Sequence, residues 1–279
     1  MTRREIGPFA VALLIASPMI VGVTYTVLAA LGLVGAGASG LTARHVTNAL
    51  GTSETWRGVG WTVAIAVTAT VAASVAALAV VLRVQHSRVG RFLAVLPMAV
   101  PHVAAALAAL LLFSQSGWLS RLAHAVGISS APADFPPLVY DTFGVSLVFA
   151  CAWKEFPYLA LTALAVLSTR DRNSEEVART LGATERQTFW RVTWPRLWRG
   201  MSPAVIAACA FLIGQYEMPA LLAPSSPTAL PLLIFERAND PNLSHRGEAY
   251  VLALLALTFS AGLVWAHQSW RRRLSVGAR

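Results

Sequence analysis

Long apolar runs separated by short, arginine-bearing connections dominate the chain. Six runs, at 8–34, 59–82, 92–113, 143–167, 203–223 and 248–267, are each long enough to cross a hydrocarbon layer as a helix. Every backbone amide in lipid must be paired inside the protein, which leaves helices or closed barrels. A barrel strand alternates apolar and polar residues over stretches of about ten. The run Val71-Ala72-Ala73-Ser74-Val75-Ala76-Ala77-Leu78 does not. The pattern predicts an all-α, polytopic membrane protein with about six transmembrane helices.

The polar intervals set the organisation. Residues 1–54 form an N-terminal tip, a first span and an outer loop. Residues 55–270 form a core of five spans, and 271–279 a basic tail. Thr2-Arg3-Arg4, with Gly35-Ala36-Gly37-Ala38 after the first run, has the outline of a secretory signal. Its apolar run far exceeds a signal core of roughly 7–15 residues, so an uncleaved span is expected. Connections 114–142 and 224–247 are long and rich in Pro, Gly, Ser and Asp. Ala131-Pro132-Ala133-Asp134-Phe135-Pro136-Pro137 should be extended or turning. Pro18, Pro97, Pro101 and Pro157 lie in or beside the runs. Each removes a backbone donor, and two readings stay open: kinks that shape a cavity, or kinks that neighbouring helices absorb.

Composition agrees with a lipid solvent. The chain is 56% hydrophobic and 13% charged, about half the charge of a soluble domain, roughly 25%. The net charge of +9 does not argue for nucleic acid, because the basic residues sit in short segments between apolar runs and serve topology. Arg3, Arg4, Arg83, Arg88, Arg91, Arg170, Arg172, Arg179, Arg186, Arg191, Arg196, Arg199, Arg271, Arg272, Arg273 and Arg279 fall on one side. Only Arg44, Arg57, Arg121, Arg237 and Arg246 fall on the other. With an even number of spans, both termini are expected in the cytoplasm of an inner-membrane protein. Cys151 and Cys209 lie in apolar runs, so no disulfide framework is expected. No metal-ligand spacing, cofactor motif, nucleophile elbow or phosphate-binding loop occurs. The chain is therefore read as a non-enzyme.

The richest polar segment is 169–200. Asn173 or Ser174 can cap a helix whose positive first turn suits Glu175 and Glu176. Val177, Thr180 and Leu181 form one stripe, and Gly182 suits a helix stop. Thr184 with Gln187 has the spacing of a capping box, and Pro195 is expected to break the run before the next span. Two short helices bent at Gly182 follow. On physics alone, a partner-docking element and a connection resting on lipid headgroups, with Trp190, Trp194 and Trp198 at the interface, are equally good readings.

The spacing Glu176-x-Ala178-x-x-x-Gly182, followed by Val192-x-x-Pro195, resembles the E-A-A-x-x-x-G…I-x-L-P loop of ABC importer permease subunits of type I architecture. Ala178-Arg179-Thr180-Leu181-Gly182-Ala183-Thr184 is similar to that family's A-R-x-L-G-A-S stretch. Val177 and Trp194 depart from it but stay apolar. The resemblance extends over 56–267 and is most specific at 175–195. It implies a coupling helix seated on a cytoplasmic ABC ATPase dimer, a second permease subunit (a copy or a different chain) and an extracytoplasmic solute-binding protein. Glu175, Glu176, Ala178, Arg179, Gly182, Ala183, Arg186 and Pro195 would be its coupling residues. Glu176 would cap or pair with a basic group, Ala178 would permit close approach, and Arg179 and Arg186 would meet acids or lipid phosphates.

Ionisable residues inside spans are functional-site hypotheses by default. Lys154 and Glu155 lie mid-span in the fourth run, Gln215 and Glu217 in the outer half of the fifth, and His102 between two prolines in the third. A structural Lys–Glu pair and a solute path are both open readings. Adjacent positions on a helix point about 100° apart, so Lys154 and Glu155 are not expected to share one cavity centre. Residues 214–222 resemble the G-E-F-x-x-P-x-L-L segment of polyamine and ferric-ion permeases, which implies a small ion or polyamine. A sugar is the substrate alternative. A self-contained secondary transporter or channel, or a membrane-embedded enzyme, is the alternative class.

Overall fold

The computed structural model describes residues 3–276 apart from 36, 39, 170 and 171. Arg170 and Arg279, two of the arginines counted above, lie outside the described residues, as does Ala36.

The described chain is helical throughout. The spans begin with α1 (Arg3–Ala30), a short α2 (Arg44–Gly51) and α3 (Ser53–Val84). Thr52 caps α3 by accepting from the Thr55 amide, and Glu54 sits in its positive first turn. The third crossing is made in pieces: α4 (Arg88–Val95), a 3₁₀ turn (Leu96–Ala99) and α5 (His102–Phe113). The continuous span expected at 92–113 is interrupted there because Pro97 and Pro101 both lack an amide hydrogen. A short α6 (Trp118–Ala125) and a turn lead to α7 (Val145–Ser168). Gly144, at φ +68°, precedes α7, and Asp141 accepts from the Phe143 and Val145 amides at 3.0 and 2.9 Å.

Beyond α7 come α8 (Arg172–Thr180) and α9 (Glu185–Thr188). A π-turn (Phe189–Thr193) joins α9 to α10 (Trp194–Gly214). The expected fifth span, 203–223, stops early at Gly214. Pro219 offers no amide to the Gln215 carbonyl four residues back, and its ring would collide with that carbonyl in a continuous helix. The chain turns through Gln215 and Tyr216 into α11 (Glu217–Leu222), then α12 (Leu230–Ala238) and α13 (Arg246–Val276). Six helical stretches are long and apolar enough to cross a membrane. Helices α2, α6 and α12 lie in connections that the sequence pattern left irregular.

Helices α3 and α7 form the centre, with α10 against both. Their meeting faces are made of small residues. Ala69, Ala73 and Ala77 of α3 and Ala160 and Ala163 of α7 have no exposed surface. Lipid tails are as apolar as leucine, so close van der Waals approach, rather than water exclusion, holds such helices together. Among the larger side chains, Leu159 and Leu197 fill the gaps between the alanines, while Leu14, 73% exposed, and Leu111, 63%, point outward as lipid-facing positions require.

α1 packs on α13, where Tyr25 and Tyr250 meet edge to face at 5.8 Å. At the end of the bundle opposite α8, Arg237 lies 3.5 Å from both Glu54 and Glu248 and ties α12 to α3 and α13. In the turn before α13, the His245 ring, 2.8 Å away, holds the Asp240 carboxyl below the usual carboxylate range.

Enlarging a small residue at the α3–α7 contact forces the helices apart. Ala77→Leu should cost about 1–3 kcal/mol and lower the thermal midpoint of the detergent-solubilised protein. Ala76→Leu, one position round on the exposed face, should leave the midpoint unchanged.

Candidate functional site

Two places carry the polar chemistry: the α8–α10 junction at one end of the bundle and a cavity between α5, α7 and α10.

At the junction, α8 ends in a Schellman turn. Gly182 adopts φ +85°, its amide donates to the Arg179 carbonyl, and the Ala183 amide donates to the Ala178 carbonyl at 3.0 Å. No Cβ clash stands at Gly182, so its requirement is the left-handed backbone alone. Ala178 and Ala183 thus close the turn. The Thr184–Gln187 capping box forms as the spacing predicted, with bonds of 2.9 and 3.3 Å. The bend at Gly182 is therefore observed.

Three details differ from expectation. α8 starts at Arg172, so Asn173 and Ser174 lie inside its first turn rather than capping it. Pro195 does not break the run: α9, the π-turn and α10 form one continuous stretch, 185–214. In the widened turn the Trp194 amide reaches back to the Phe189 carbonyl, and Pro195 takes the first turn of α10, where a missing donor costs little. The two glutamates also part company. Glu175 turns inward and its Oε1 accepts from Thr193 Oγ1 at 2.9 Å, while Glu176 is exposed.

The outer face of α8 is unlike an ordinary polar loop. Val177 is 58% exposed and Leu181 82%. Arg179 reaches Glu185 at 4.0 Å, both open to solvent, a pair worth little by itself. Arg186 is exposed. Behind the junction Trp190, Trp194 and Trp198 form a ladder, with centroids 5.6 and 6.2 Å apart. Four-residue spacing on a helix surface explains the ladder, and indole suits the membrane–water interface.

The second place is a cavity of about 370 Å³ lined by Met98, His102, Lys154, Glu155, Tyr158 and Phe211, among others. Lys154, the only lysine in the chain, donates to the Pro97 carbonyl at 3.1 Å and the Val100 carbonyl at 2.6 Å. Pro97 is the residue whose carbonyl Pro101 would serve if proline had an amide hydrogen. The lysine joins the Val100 amide, at 3.3 Å, as a donor to that carbonyl. Among the described residues no glutamate lies within ion-pair distance of Lys154.

Lys154 and Glu155 line the same cavity despite their angular separation. A pocket this wide is met from both sides of one helix face. His102 joins them, with its ring 5.7 Å from Phe211. Gln215 and Glu217 do not line it. Gln215 is buried beside the Cys151 thiol at 3.8 Å, and its Nε2 finds no partner among the described residues. Glu217 is exposed at the start of α11. The early end of α10 moved both away from the position a continuous span would have given them. Thr193, Tyr158 and Phe211 were not legible as site residues. The one usable signal was a lone lysine facing a span with two prolines.

These features are those of a polytopic membrane protein with a short helix projecting at one end of its bundle. Residues 69–276 match the family described as "Binding-protein-dependent transport system inner membrane component", and the chain belongs to that family. It is similar to the sulfate transport system permease protein CysT of Synechocystis, with 30% identity over 184 residues, 64% of this chain and 60% of the relative. It is also similar to the molybdenum transport system permease protein ModB of Mycobacterium tuberculosis, with 32% identity over 193 residues, 68% of this chain and 64% of the relative. The chain thus spans somewhat under two thirds of the length of these relatives.

In fold it resembles a chain in the crystal structure of a bacterial alginate ABC transporter in complex with an alginate pentasaccharide-bound periplasmic protein. The TM-score is 0.72 at 15% identity, with 97% of this chain and 93% of that one covered. These relatives are transport permeases and not enzymes. Sulfate and molybdenum, rather than polyamine or ferric ion, appear in their names. The polyamine and ferric-ion resemblance of 214–222 is thereby corrected, while a small ion remains in keeping with these names.

Replacing Lys154 takes the ammonium from the Val100 carbonyl and leaves the Pro97 carbonyl with only the Val100 amide at 3.3 Å, at about 1–3 kcal/mol for an unsatisfied group. Lys154→Met should lower the unfolding midpoint in detergent clearly more than Glu155→Gln does. Equal midpoints for Lys154→Met and the parent would show that another donor reaches the Val100 carbonyl.

Proposed function

We propose that this chain is the permease subunit of an ATP-binding-cassette importer for a small inorganic oxyanion of the sulfate or molybdate class. The chain forms part of the translocation path. A separate cytoplasmic ATPase docks on α8, a second permease subunit completes the path, and an extracytoplasmic solute-binding protein delivers the anion. Both termini and α8 face the cytoplasm, as the arginine distribution supports.

The observation that carries the coupling role is the outer face of α8. Val177 and Leu181 project into solvent from a short helix fixed by the Schellman turn and by Glu175 on its other side. Apolar side chains held out on a rigid, polar-flanked helix suit insertion into a partner's groove. The oxyanion reading is supported by the names of the relatives and by a cavity whose cations or donors are Lys154 and His102. Lys154 spends two of its three donors on the helix break. The third remains for an anion in transit, so the attraction is weak enough to permit release.

Leu181→Asp should reduce retention of the ATPase during purification of the assembled transporter by at least about tenfold, the equivalent of 1.4 kcal/mol. Uptake of labelled sulfate or molybdate by cells expressing the full system should fall with it. Undiminished ATPase retention in both Leu181→Asp and Val177→Asp would overturn the docking role. Uptake of putrescine or ferric ion without uptake of either oxyanion would overturn the solute class.

A further inference from the structure

Glu175 and Thr193 belong to different helices and are joined by a hydrogen bond of 2.9 Å. The placement of that bond is informative. Thr193 is the last residue of the π-turn, and its side chain is buried, with 8% of its surface exposed. A π-turn carries one residue more than the α-helical ladder accommodates, so it rotates everything beyond it relative to everything before it. Here that rotation sets Thr193 against α8. One turn further along, Arg196 Nη2 donates to Ser174 Oγ at 3.0 Å. α8 is thus attached to the spanning helix twice: covalently through 181–184 and laterally through Ser174 and Glu175.

The lateral attachment abuts a cavity of about 250 Å³, walled by Val166, Leu167 and Thr169 at the end of α7 and by Leu197 of α10. The junction is therefore not a solid block. Without the lateral bonds, α8 would meet α9 through the four-residue turn 181–184, and a displacement of α8 would be taken up by that turn and by the void. A hydroxyl donating to a carboxylate in a shielded position is a strong hydrogen bond, roughly twice a neutral one.

We propose that the Glu175–Thr193 bond is the link that makes α10 follow α8, and that Glu175 is a positioning residue distinct from the docking face carried by Glu176, Val177 and Leu181. The proposal rests on the coupling role of α8 given above. It assigns the two adjacent glutamates different tasks: Glu176 faces the ATPase, while Glu175 faces the permease's own spanning helix.

The test uses the complete transporter reconstituted in lipid nanodiscs and proteoliposomes, with Thr193→Val, Thr193→Ser and Glu175→Gln. Three quantities are measured: ATPase retained, ATP hydrolysed, and solute imported. Thr193→Val should keep the ATPase bound while the ATP hydrolysed per solute imported rises at least about fivefold. Thr193→Ser, which keeps the hydroxyl, should restore the parental ratio, and Glu175→Gln should fall between. The Glu175→Gln/Thr193→Val double variant should be no worse than Thr193→Val alone. A purely structural role would lower hydrolysis and import together and leave their ratio unchanged, which would overturn the proposal. So would loss of ATPase retention in Thr193→Val, since the bond would then serve docking. If the parent transporter itself retains no ATPase, the coupling role of α8 fails, and this inference fails with it. Retention with a normal ratio in Thr193→Val sinks the inference alone.

Discussion

A carbonyl without a donor has no water to turn to inside a hydrocarbon layer, and much of this structure answers to that constraint. The clearest case is the broken third crossing. Pro97 and Pro101 interrupt the ladder, and the Lys154 ammonium, from the neighbouring α7, bonds the freed carbonyls. The break is what gives α5 its own start at His102 and opens the wall of the cavity. A charge that looks costly in a span is therefore bound into the backbone of another helix. The π-turn before Pro195 and the stop before Pro219 are two further solutions to the same shortage of donors. One widens the ladder, and the other abandons it.

Around these breaks the bundle is conservative. α3, α7 and α10 meet through alanines interleaved with buried Val81, Leu159, Leu197 and Met201, while other bulky aliphatic side chains look outward. In such packing the helices cannot deform easily, because the interior is close-packed and leaves little room to rearrange. Movement has to be sought where the contacts are polar or hollow, which is at the α8–α10 junction and in the cavity beside Lys154.

The sequence carried the spans, their number and the bend at Gly182, because hydrophobic run length, the glycine and the Thr184–Gln187 spacing are local signals. It did not carry where helices end. Stopping α10 at Gly214 depends on Pro219, five residues on, and Pro195, which has the same covalent feature, stops nothing because a π-turn precedes it. Identical residue types thus had opposite outcomes, decided by which neighbouring groups could take up the missing bond. The candidate path residues divided accordingly. His102, Lys154 and Glu155 came together across helices, whereas Gln215 and Glu217 were carried off by the turn at 215–216. The inward turn of Glu175 was invisible as well, since two adjacent glutamates in a helix are equivalent until a partner such as Thr193 is placed against one of them.

The tryptophan ladder has a mechanical consequence. Trp190, Trp194 and Trp198 lie along one helix that carries the junction with α8 before them and the cavity residues Ala207, Ala208 and Phe211 beyond them. Indoles that prefer the headgroup layer resist being pushed in or pulled out, so a ladder seated in that layer would hold the helix at that depth and act as its fulcrum. From Trp198 to Phe211 the helix rises about 20 Å at 1.5 Å per residue. A tilt of only about 3° at the ladder then moves the cavity wall by about 1 Å, with no helix in the core having to slide.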